Sequence, residues 1–414
     1  MENTATSTNI AQATLSDSLA QKVLIKALAH LTAGQLTIVD GQQSYVFGDK
    51  SSVLHATMQV MHPSFYRQVV FSGSIGAGEA YIQGHWSSPD LTKVVQVFAR
   101  NLALLDNIER YFSWFSNGLN RIKHLFNRNS QQGSKRNILA HYDLGNDMYK
   151  AFLDPEMMYS SAIYPSQEAS LNDAQIHKLD TICQRLDLTP GQSLLEVGTG
   201  WGALAIYAAK HYGVYVTTTT ISDAQYDYAV ARVNAEGLSD KITLLKHDYR
   251  ELTGEYDRVV SIEMIEAVGH EYLAGFFEKL QHLLKPEGKL LIQAITIADQ
   301  RYDSYRKSVD FIQRYIFPGG CLPSVSEMAR HIANKTDMVI WSLDDIGLDY
   351  AKTLQHWHQN FDAAKEQISQ LGYGEDFIRM WKFYLSYCEG GFLERTTSTV
   401  HLTAVRPKYR ITSI

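Results

Sequence analysis

The segment from Leu194 to Gly202 constrains the fold of this chain most. A short apolar run ends in Glu196, and glycines at positions 198, 200 and 202 lead into an alanine-rich stretch that favours a helix. A strand that turns into a helix through glycines lets a ligand approach the backbone closely and leaves helix N–H groups free for a negative group. The spacing G-x-G-x-G differs from the G-x-G-x-x-G of dinucleotide-binding folds, which weakens a nicotinamide interpretation. A plain glycine turn is the alternative.

The pattern beyond residue 138 alternates between strand-like and helix-like segments. Such alternation predicts an α/β fold, a parallel sheet with helices on both faces. One helix is expected to begin after Ser222 as N-cap, and another to run from Glu271 to Leu284 before the loop 285–288. The last two strands are expected to form an antiparallel edge pair. The predicted strands are Ser193–Val197, Val214–Ile221, Ile242–Lys246, Arg258–Ile262, Lys289–Ile295, Met338–Leu343 and Thr399–Val405.

The chain is long enough for more than one domain, since its 414 residues exceed the roughly 250–300 residues at which single cores stop growing. Near the start, Gln35–Val39 and Ser44–Phe47 flank Asp40-Gly41, which is a hairpin signal. We predict a small N-terminal α+β domain (1–105), an amphipathic helix with a polar linker (106–137) and a larger α/β domain (138–414).

Composition excludes several classes of protein. The net charge of −6 gives no case for nucleic-acid binding. No apolar run reaches about 18 residues, so no transmembrane helix is expected, and the polar start lacks the regions of a signal peptide. Three distant cysteines, Cys183, Cys321 and Cys388, fit neither a disulfide framework nor a zinc site. We therefore expect a reducing cytoplasm and no metal.

Four further motifs occur along the chain, two before and two after the glycine segment. They are His141–Asp147, Met158–Ala162, Glu263–Gly269 and Tyr315–Pro323. With the glycine segment they make the chain resemble the cyclopropane-fatty-acyl-phospholipid synthases and the related mycolic-acid methyltransferases. The resemblance covers nearly everything from Asn137 to Pro407 and extends more weakly to Gly78–Trp86. It implies a Rossmann-like class I fold that uses S-adenosylmethionine. Taken alone, His141–Asp147 is equally well a capped helix start.

The resemblance implies methyl transfer to a cis double bond in a phospholipid acyl chain. An alkene is a poor nucleophile, so the enzyme must position the methyl group and exclude water. Aromatic rings and carboxylates can stabilise the carbocation that develops. A base then removes a proton so that the ring closes, and the family implies a bound bicarbonate for this step.

The catalytic residues that the resemblance implies are Glu266, Tyr350, Ser161 and Gln293. Glu266 and Tyr350 match the family pattern, whereas Ser161 and Gln293 stand where a cysteine and a histidine are commonest. Serine and glutamine can donate hydrogen bonds to a bicarbonate oxygen, although neither offers a cation. Ser161 is equally well interpreted as a near-isostere of cysteine without consequence.

The cofactor residues implied by the resemblance surround the glycine loop. Glu196 suits the amino group of the cofactor. The second strand ends in threonines without the usual acidic residue, and Gln225 takes its place toward the ribose. Tyr249 would lie beside the adenine. The full set is Tyr159, Glu196, Gly198, Gly200, Thr220, Gln225 and Tyr249.

The stretch 108–126 is aromatic and basic, with Arg110, Arg121 and Lys123, and Arg128 follows. A basic amphipathic helix is typical of a membrane-surface element. It could equally dock onto the α/β domain. The resemblance implies a cytoplasmic protein, peripheral on the inner face of the membrane, with an unsaturated phospholipid as substrate and a homodimer as its assembly.

Four functions remain open from the sequence. The first is cyclopropane formation. The second is C-methylation without ring closure, which gives a methyl-branched or methylene chain or a furan fatty acid precursor; the changes at Ser161 and Gln293 motivate it. The third is a catalytically impaired lipid-binding protein, against which the intact cofactor loop argues. The fourth is a small-molecule methyltransferase, for which the N-terminal domain is superfluous.

Overall fold

The computed structural model describes residues 13–104 and 144–410. The basic amphipathic stretch, the linker and the motif residues 141–143 lie outside these ranges, so what we predict for them stays a prediction. The described residues form two compact units, each presented by itself. One comprises 13–104 and 373–394, and the other comprises 144–372 and 395–410.

The first unit is built on a four-stranded sheet in the order β2-β1-β3-β4. Its hairpin is confirmed, because β1 and β2 pair antiparallel around a turn in which Gly41 has φ +57°. β1 pairs with β3 in parallel. The elements are α1 (Leu15–Leu28), β1 (Gln35–Asp40), β2 (Gln43–Gly48), β3 (His55–Val60), α2 (Ser64–Ile82), β4 (Trp86–Ser87) and α3 (Leu91–Arg100).

A helix from far along the chain, Glu375–Leu393, belongs to this first unit. The sequence-based division placed it in the domain 138–414. A Cβ atom on Gly390 would lie 2.6 Å from Cγ1 of Val95, so glycine permits the close approach of this helix to α3. Arg379 donates hydrogen bonds to the carbonyl oxygens of Tyr81 and Trp86. These partners are remote in sequence, so no local sequence pattern indicates that they are in contact.

The second unit contains a seven-stranded sheet in the order β10-β11-β9-β8-β5-β6-β7. β5 to β9 are parallel, and β11 runs antiparallel to both of its neighbours. The strands are β5 (Ser193–Val197), β6 (Tyr215–Thr219), β7 (Ile242–Leu245), β8 (Tyr256–Ile262), β9 (Leu284–Ile297), β10 (Val339–Asp345) and β11 (Thr397–Val405).

Helices accompany these strands along the chain. They are α4 (Asn146–Lys150), α5 (Leu171–Arg185), α6 (Ala203–Tyr212), α7 (Asp223–Ala235), α8 (Leu273–His282), α9 (Asp299–Tyr305), α10 (Phe311–Tyr315), α11 (Val325–Lys335), α12 (Gly347–Ala363) and α13 (Lys365–Gln370). The Ser222 side chain accepts a hydrogen bond from the backbone N–H of Gln225, which confirms Ser222 as the N-cap of α7.

Both faces of the large sheet are covered. Leu194 packs in a core cluster with α5 and α6, whereas its neighbour Leu195 packs with α8 and α11 on the other face. Val260 and Val259 of β8 divide in the same way. Successive strand residues point to opposite faces, so this alternation shows a sheet buried on both sides. The predicted α/β architecture is confirmed.

Two boundaries differ from the sequence-based expectation. α8 ends at His282 instead of Leu284, and β9 begins at Leu284 and runs through the expected loop 285–288. Proline is tolerated at the beginning of a strand, so Pro286 does not prevent this. β10 is the edge strand, and β11 lies between it and β9.

None of the helices in the ranges 13–104 and 144–410 has the length and apolarity required to cross a membrane.

Candidate active site

The glycine loop joins β5 to α6 at the carboxyl end of the sheet. Gly198, Gly200 and Gly202 all have positive φ, at +106°, +53° and +92°, a region that L side chains rarely adopt. The backbone N–H groups of Gly198 and Thr199 donate to the carbonyl oxygen of Thr219 at 3.1 and 3.0 Å and fix the loop to β6. A Cβ atom on Gly200 would meet no atom within 4 Å. The loop therefore borders open space in which a ligand can approach the backbone.

Glu196 lies one residue before the end of β5 and is 3% exposed. One of its oxygens accepts a hydrogen bond from Thr218 Oγ1 at 2.6 Å. Burial raises the pKa of Glu196 to about 8, against the opposing effect of the Thr218 hydrogen bond. A cationic group beside this carboxyl would favour its ionised form. Glu196 is therefore suited to hold the amino group of an amino-acid-like cofactor.

The other predicted cofactor residues follow the two strands beyond β5. Thr220 Oγ1 donates to Gln225 Oε1 at 3.0 Å just past the end of β6. Tyr249 forms a short 3₁₀ turn after β7, and its ring packs edge-on against Phe276 at 5.5 Å between centroids. β5, β6 and β7 are neighbours in the sheet. In open α/β sheets, ligands bind outside the carboxyl ends of the strands, which is where these residues lie.

Tyr159 belongs to an aromatic cluster. Its ring lies 5.2 Å from both Trp357 and Tyr149, between ring centroids, with Phe152 at 6.2 Å and Phe317 at 6.4 Å. Aromatic faces attract cations and also exclude water. The cluster therefore suits a site that handles a positively charged group next to an apolar chain.

The structure brings together three of the four predicted catalytic residues, which share Glu263 as a hydrogen-bond partner, a residue that was not among the predicted ones. Glu263 Oε1 accepts hydrogen bonds from the Ser161 backbone N–H at 2.9 Å and from Gln293 Nε2 at 2.7 Å. Glu263 Oε2 accepts one from the Tyr350 hydroxyl at 2.9 Å. Glu263 follows β8 directly, at the same carboxyl edge as the glycine loop. Its position after a buried strand was the available signal.

Gln293 is held from its other side by β11. It lies opposite Ile262 of β8 and opposite His401 of β11 in the strand registers. His401 Nε2 donates to Gln293 Oε1 at 2.8 Å, and Arg185 donates to His401 Nδ1 at 2.7 Å. Burial, together with the Arg185 charge, lowers the pKa of His401 well below its usual value, so the ring is neutral. These hydrogen bonds from Arg185 through His401 orient the Gln293 amide so that its N–H points toward Glu263.

Glu266 makes separate bonds. Its Oε1 accepts from the Ile295 backbone N–H at 2.6 Å, and its Oε2 is buried without a hydrogen-bond partner in the part of the chain that the structure describes. Its own carbonyl accepts from the Cys321 N–H at 2.8 Å, which ties the motif 315–323 to this turn. Burial, and after it the charge of Glu263, raise the pKa of Glu266 to about 8.

Ser161 contributes to this arrangement through its backbone. Its hydroxyl donates to the Ala162 carbonyl oxygen at 3.0 Å, while its N–H binds Glu263. The serine in place of the commoner cysteine thus leaves the contact with the carboxylate unaltered. This supports the interpretation of Ser161 as a near-isostere.

A bound bicarbonate does not fit the arrangement. Of the four residues expected to hold it, Gln293 and Tyr350 already donate to the Glu263 carboxylate, and the Ser161 hydroxyl donates to the Ala162 carbonyl oxygen. A second anion beside that carboxylate would add like charge to a partly buried site, which is unfavourable.

We expect the Gly200→Leu substitution to abolish cofactor binding in a protein that still folds. A Cβ atom at this position meets no atom within 4 Å, so the leucine side chain would project from the loop into the space proposed for the ligand. Gly237→Leu is the matched control, because Gly237 also has positive φ, +66°, and a Cβ atom added there would meet no atom within 4 Å, yet it lies after α7 and away from the loop. Calorimetry with S-adenosylmethionine would contradict the assignment if both variants bound it equally well.

Comparisons with known proteins identify the family to which the chain is similar. Residues 129–402 match the family model described as mycolic acid cyclopropane synthetase. The cyclopropane-fatty-acyl-phospholipid synthase of Escherichia coli is 38% identical over 343 residues, which span 82% of this chain and 85% of that protein. The tuberculostearic acid methyltransferase of Mycobacterium tuberculosis is 36% identical over 347 residues, which span 82% and 81%.

Solved structures give the same result. A cyclopropane synthase from Mycobacterium tuberculosis superposes with a TM-score of 0.62 at 28% identity, covering 66% of this chain and 98% of that one. A mycolic acid cyclopropane synthase complexed with SAH and CTAB gives a TM-score of 0.61 at 30% identity, with the same coverage.

Proposed function

Because the chain belongs to the mycolic acid cyclopropane synthetase family, we propose that it forms a cyclopropane ring on the double bond of an unsaturated acyl chain in a membrane phospholipid. Membership makes it an S-adenosylmethionine-dependent methyltransferase that methylates or cyclopropanates lipid acyl chains. The class I methyltransferase fold predicted from the sequence is confirmed. The acyl-chain substrate and ring closure are the parts that we propose.

The residues at the carboxyl ends of the strands β5 and β6 fit the cofactor. When bound, S-adenosylmethionine supplies an electrophilic methyl group. The glycine loop would leave room for its methionine part, Glu196 would bind its amino group, and Gln225 with Thr220 would bind its ribose. These assignments rest on the open loop and the buried carboxyl.

One observation supports methyl transfer to an alkene over methyl transfer to a nitrogen or oxygen atom. The Glu263 carboxylate, which receives three hydrogen bonds, and Glu266, whose Oε2 lacks one, follow the same strand three positions apart. Methyl transfer to an alkene creates a carbocation and then requires proton removal, so it needs both electrostatic stabilisation and a base. Methyl transfer to a nitrogen or oxygen nucleophile has no carbocation to stabilise.

C-methylation without ring closure is the second candidate. The similarity to a tuberculostearic acid methyltransferase, at 36% identity, favours it. A catalytically impaired lipid-binding protein is less consistent with the intact loop and carboxyl groups. Membrane contact, a position on the inner face of the membrane, a cytoplasmic location and a homodimer stay predictions.

The proposal is tested with labelled S-adenosylmethionine and phospholipid vesicles. Label should enter the fatty acids of vesicles with monounsaturated chains, and vesicles of the same headgroup with saturated chains should stay unlabelled. Label in neither vesicle, with the cofactor bound, would contradict the proposed substrate.

Cofactor affinity should rise with pH and level off above about pH 8. The pKa of Glu196 is raised to about 8 in the free protein, so at lower pH its carboxyl is protonated and must lose the proton to bind the cofactor's amino group. The dependence should approach about tenfold per pH unit. Calorimetry with S-adenosylhomocysteine, which keeps the amino group but lacks the sulfonium charge, measures the effect of the amino group by itself. Glu196→Gln should flatten the profile; an unchanged slope would exclude Glu196 as its source.

A further inference from the structure

We propose that Glu263 is the base that removes the proton from the transferred methyl group, a role that the resemblance assigned to bicarbonate. This proposal rests on the proposed function, because an acyl-chain carbocation must form before the proton is lost. It assigns the step to a side chain of this protein.

The hydrogen bonds around Glu263 place its carboxylate and leave it able to accept a proton. An ionised carboxylate has about four lone-pair positions on its two oxygens. Ser161 and Gln293 occupy Oε1, and the Tyr350 hydroxyl donates to Oε2. Oε2 therefore keeps a lone pair beside the one hydrogen bond that the structure shows for it. The residue as a whole is neither fully buried nor exposed.

The backbone of Glu263 is held in an unusual conformation by its contacts with β9. Its φ of +49° lies in the left-handed region, which a residue with a long side chain rarely adopts. Its N–H donates to the Gln293 carbonyl oxygen at 2.8 Å, so both its backbone and its side chain are bound to the same β9 residue. Backbone strain of this kind concentrates at functional sites.

Burial and the surrounding polar groups act in opposite directions on the pKa of the Glu263 carboxyl. Burial raises its pKa above the usual value, while the Ser161 and Gln293 hydrogen bonds and the charge of Lys178 oppose this. Lys178 is fully buried, donates to Ser160 Oγ at 2.8 Å and also interacts with Asp154. The Glu263 carboxylate is thus more basic than a carboxylate in water, and the charge of Lys178 limits that increase.

Methyl transfer and ring closure each form one bond while another bond breaks. The methyl carbon bonds to one alkene carbon while its bond to sulfur breaks, and the positive charge moves to the other alkene carbon. Glu263 takes a proton from the new methyl group, and the electron pair of that C–H bond closes the ring onto the cationic carbon. The protonated carboxyl then releases its proton to water, which restores the starting state.

Two variants test the assignment. Glu263→Gln keeps the shape of the side chain but removes the base, and it should lower product formation about 10²–10⁴-fold with unchanged cofactor affinity. Glu263→Gly removes the side chain at a position whose φ suits glycine, so it should fold. It frees the donors at Ser161, Gln293 and Tyr350, so added bicarbonate should restore part of the rate. Glu389→Gln, at a buried carboxyl of the other unit, is the control and should stay active.

The outcomes separate the two proposals. An active wild type whose rate falls when bicarbonate is removed, or a Glu263→Gln variant with full activity, would overturn the role of Glu263 alone. A bicarbonate-independent wild type together with a Glu263→Gly variant that bicarbonate rescues would support it. A wild type that methylates no unsaturated lipid would overturn the proposed function and this proposal with it.

Discussion

Replacing Glu266 by glutamine should slow product formation by about 10²–10³-fold and leave cofactor affinity nearly unchanged. The amide can still accept the Ile295 N–H through its oxygen, so the fold should survive. The substitution removes the negative charge that the Glu266 carboxylate carries when a cation forms nearby. Its pKa of about 8 without a ligand shows how strongly burial opposes that charge until a cation compensates it.

The measurement for Glu266 is single-turnover methyl transfer to vesicles at saturating cofactor, with calorimetry for affinity. Glu266→Asp keeps the charge on a shorter side chain and should retain more of the rate than Glu266→Gln. Equal rates in the wild type and Glu266→Gln would exclude Glu266 from charge stabilisation and leave Glu263 as the only acidic group assigned to the chemistry.

Replacing Gln293 by leucine should destabilise the protein by about 2–4 kcal/mol and nearly abolish ring formation. Leucine leaves the His401 Nε2–H without its acceptor and removes a donor from the Glu263 carboxylate. Both partners are buried or partly buried, so water cannot replace the lost bonds freely. Urea unfolding measures the stability, and product analysis of the folded protein measures ring formation.

A histidine at this position is the informative comparison. A neutral imidazole has one donor and one acceptor on different nitrogens, so Gln293→His can keep part of the link between His401 and Glu263. It should therefore be more stable and more active than Gln293→Leu. If the Gln293→Leu variant has the same free energy of unfolding as the wild type, the hydrogen bonds from Arg185 to Glu263 do not contribute to stability.

The sequence predicted the central strands of the sheet well because β5 and β8 are largely buried on both faces and consist mostly of apolar residues. Ser193–Val197 was predicted with the bounds that the structure has. The glycine loop and the Ser222 cap were found for a similar reason, since both are local signals. Glu375–Leu393 was assigned to the other domain because its partners, such as Val95, are remote in sequence.

The candidate site was predicted in part. Ser161, Gln293 and Tyr350 do converge, but the resemblance directed attention to Glu266 and away from its neighbour Glu263. Which of two carboxylates three residues apart receives the hydrogen bonds depends on the backbone, and the φ of +49° at Glu263 cannot be inferred from sequence. The chain Arg185–His401–Gln293 depends on the register of β11 against β9, which is also a tertiary property.

If the enzyme closes a ring on an acyl-chain double bond, its product carries a cyclopropane methylene group where the substrate had an alkene. Monounsaturated phospholipid vesicles are incubated with the protein and S-adenosylmethionine, and the released fatty acids are analysed by proton NMR. We predict the upfield signals of a cyclopropane methylene group and the loss of the olefinic signals. A methyl-branched chain, or an exocyclic methylene group with its own olefinic signals, formed without any ring signal, would contradict ring closure.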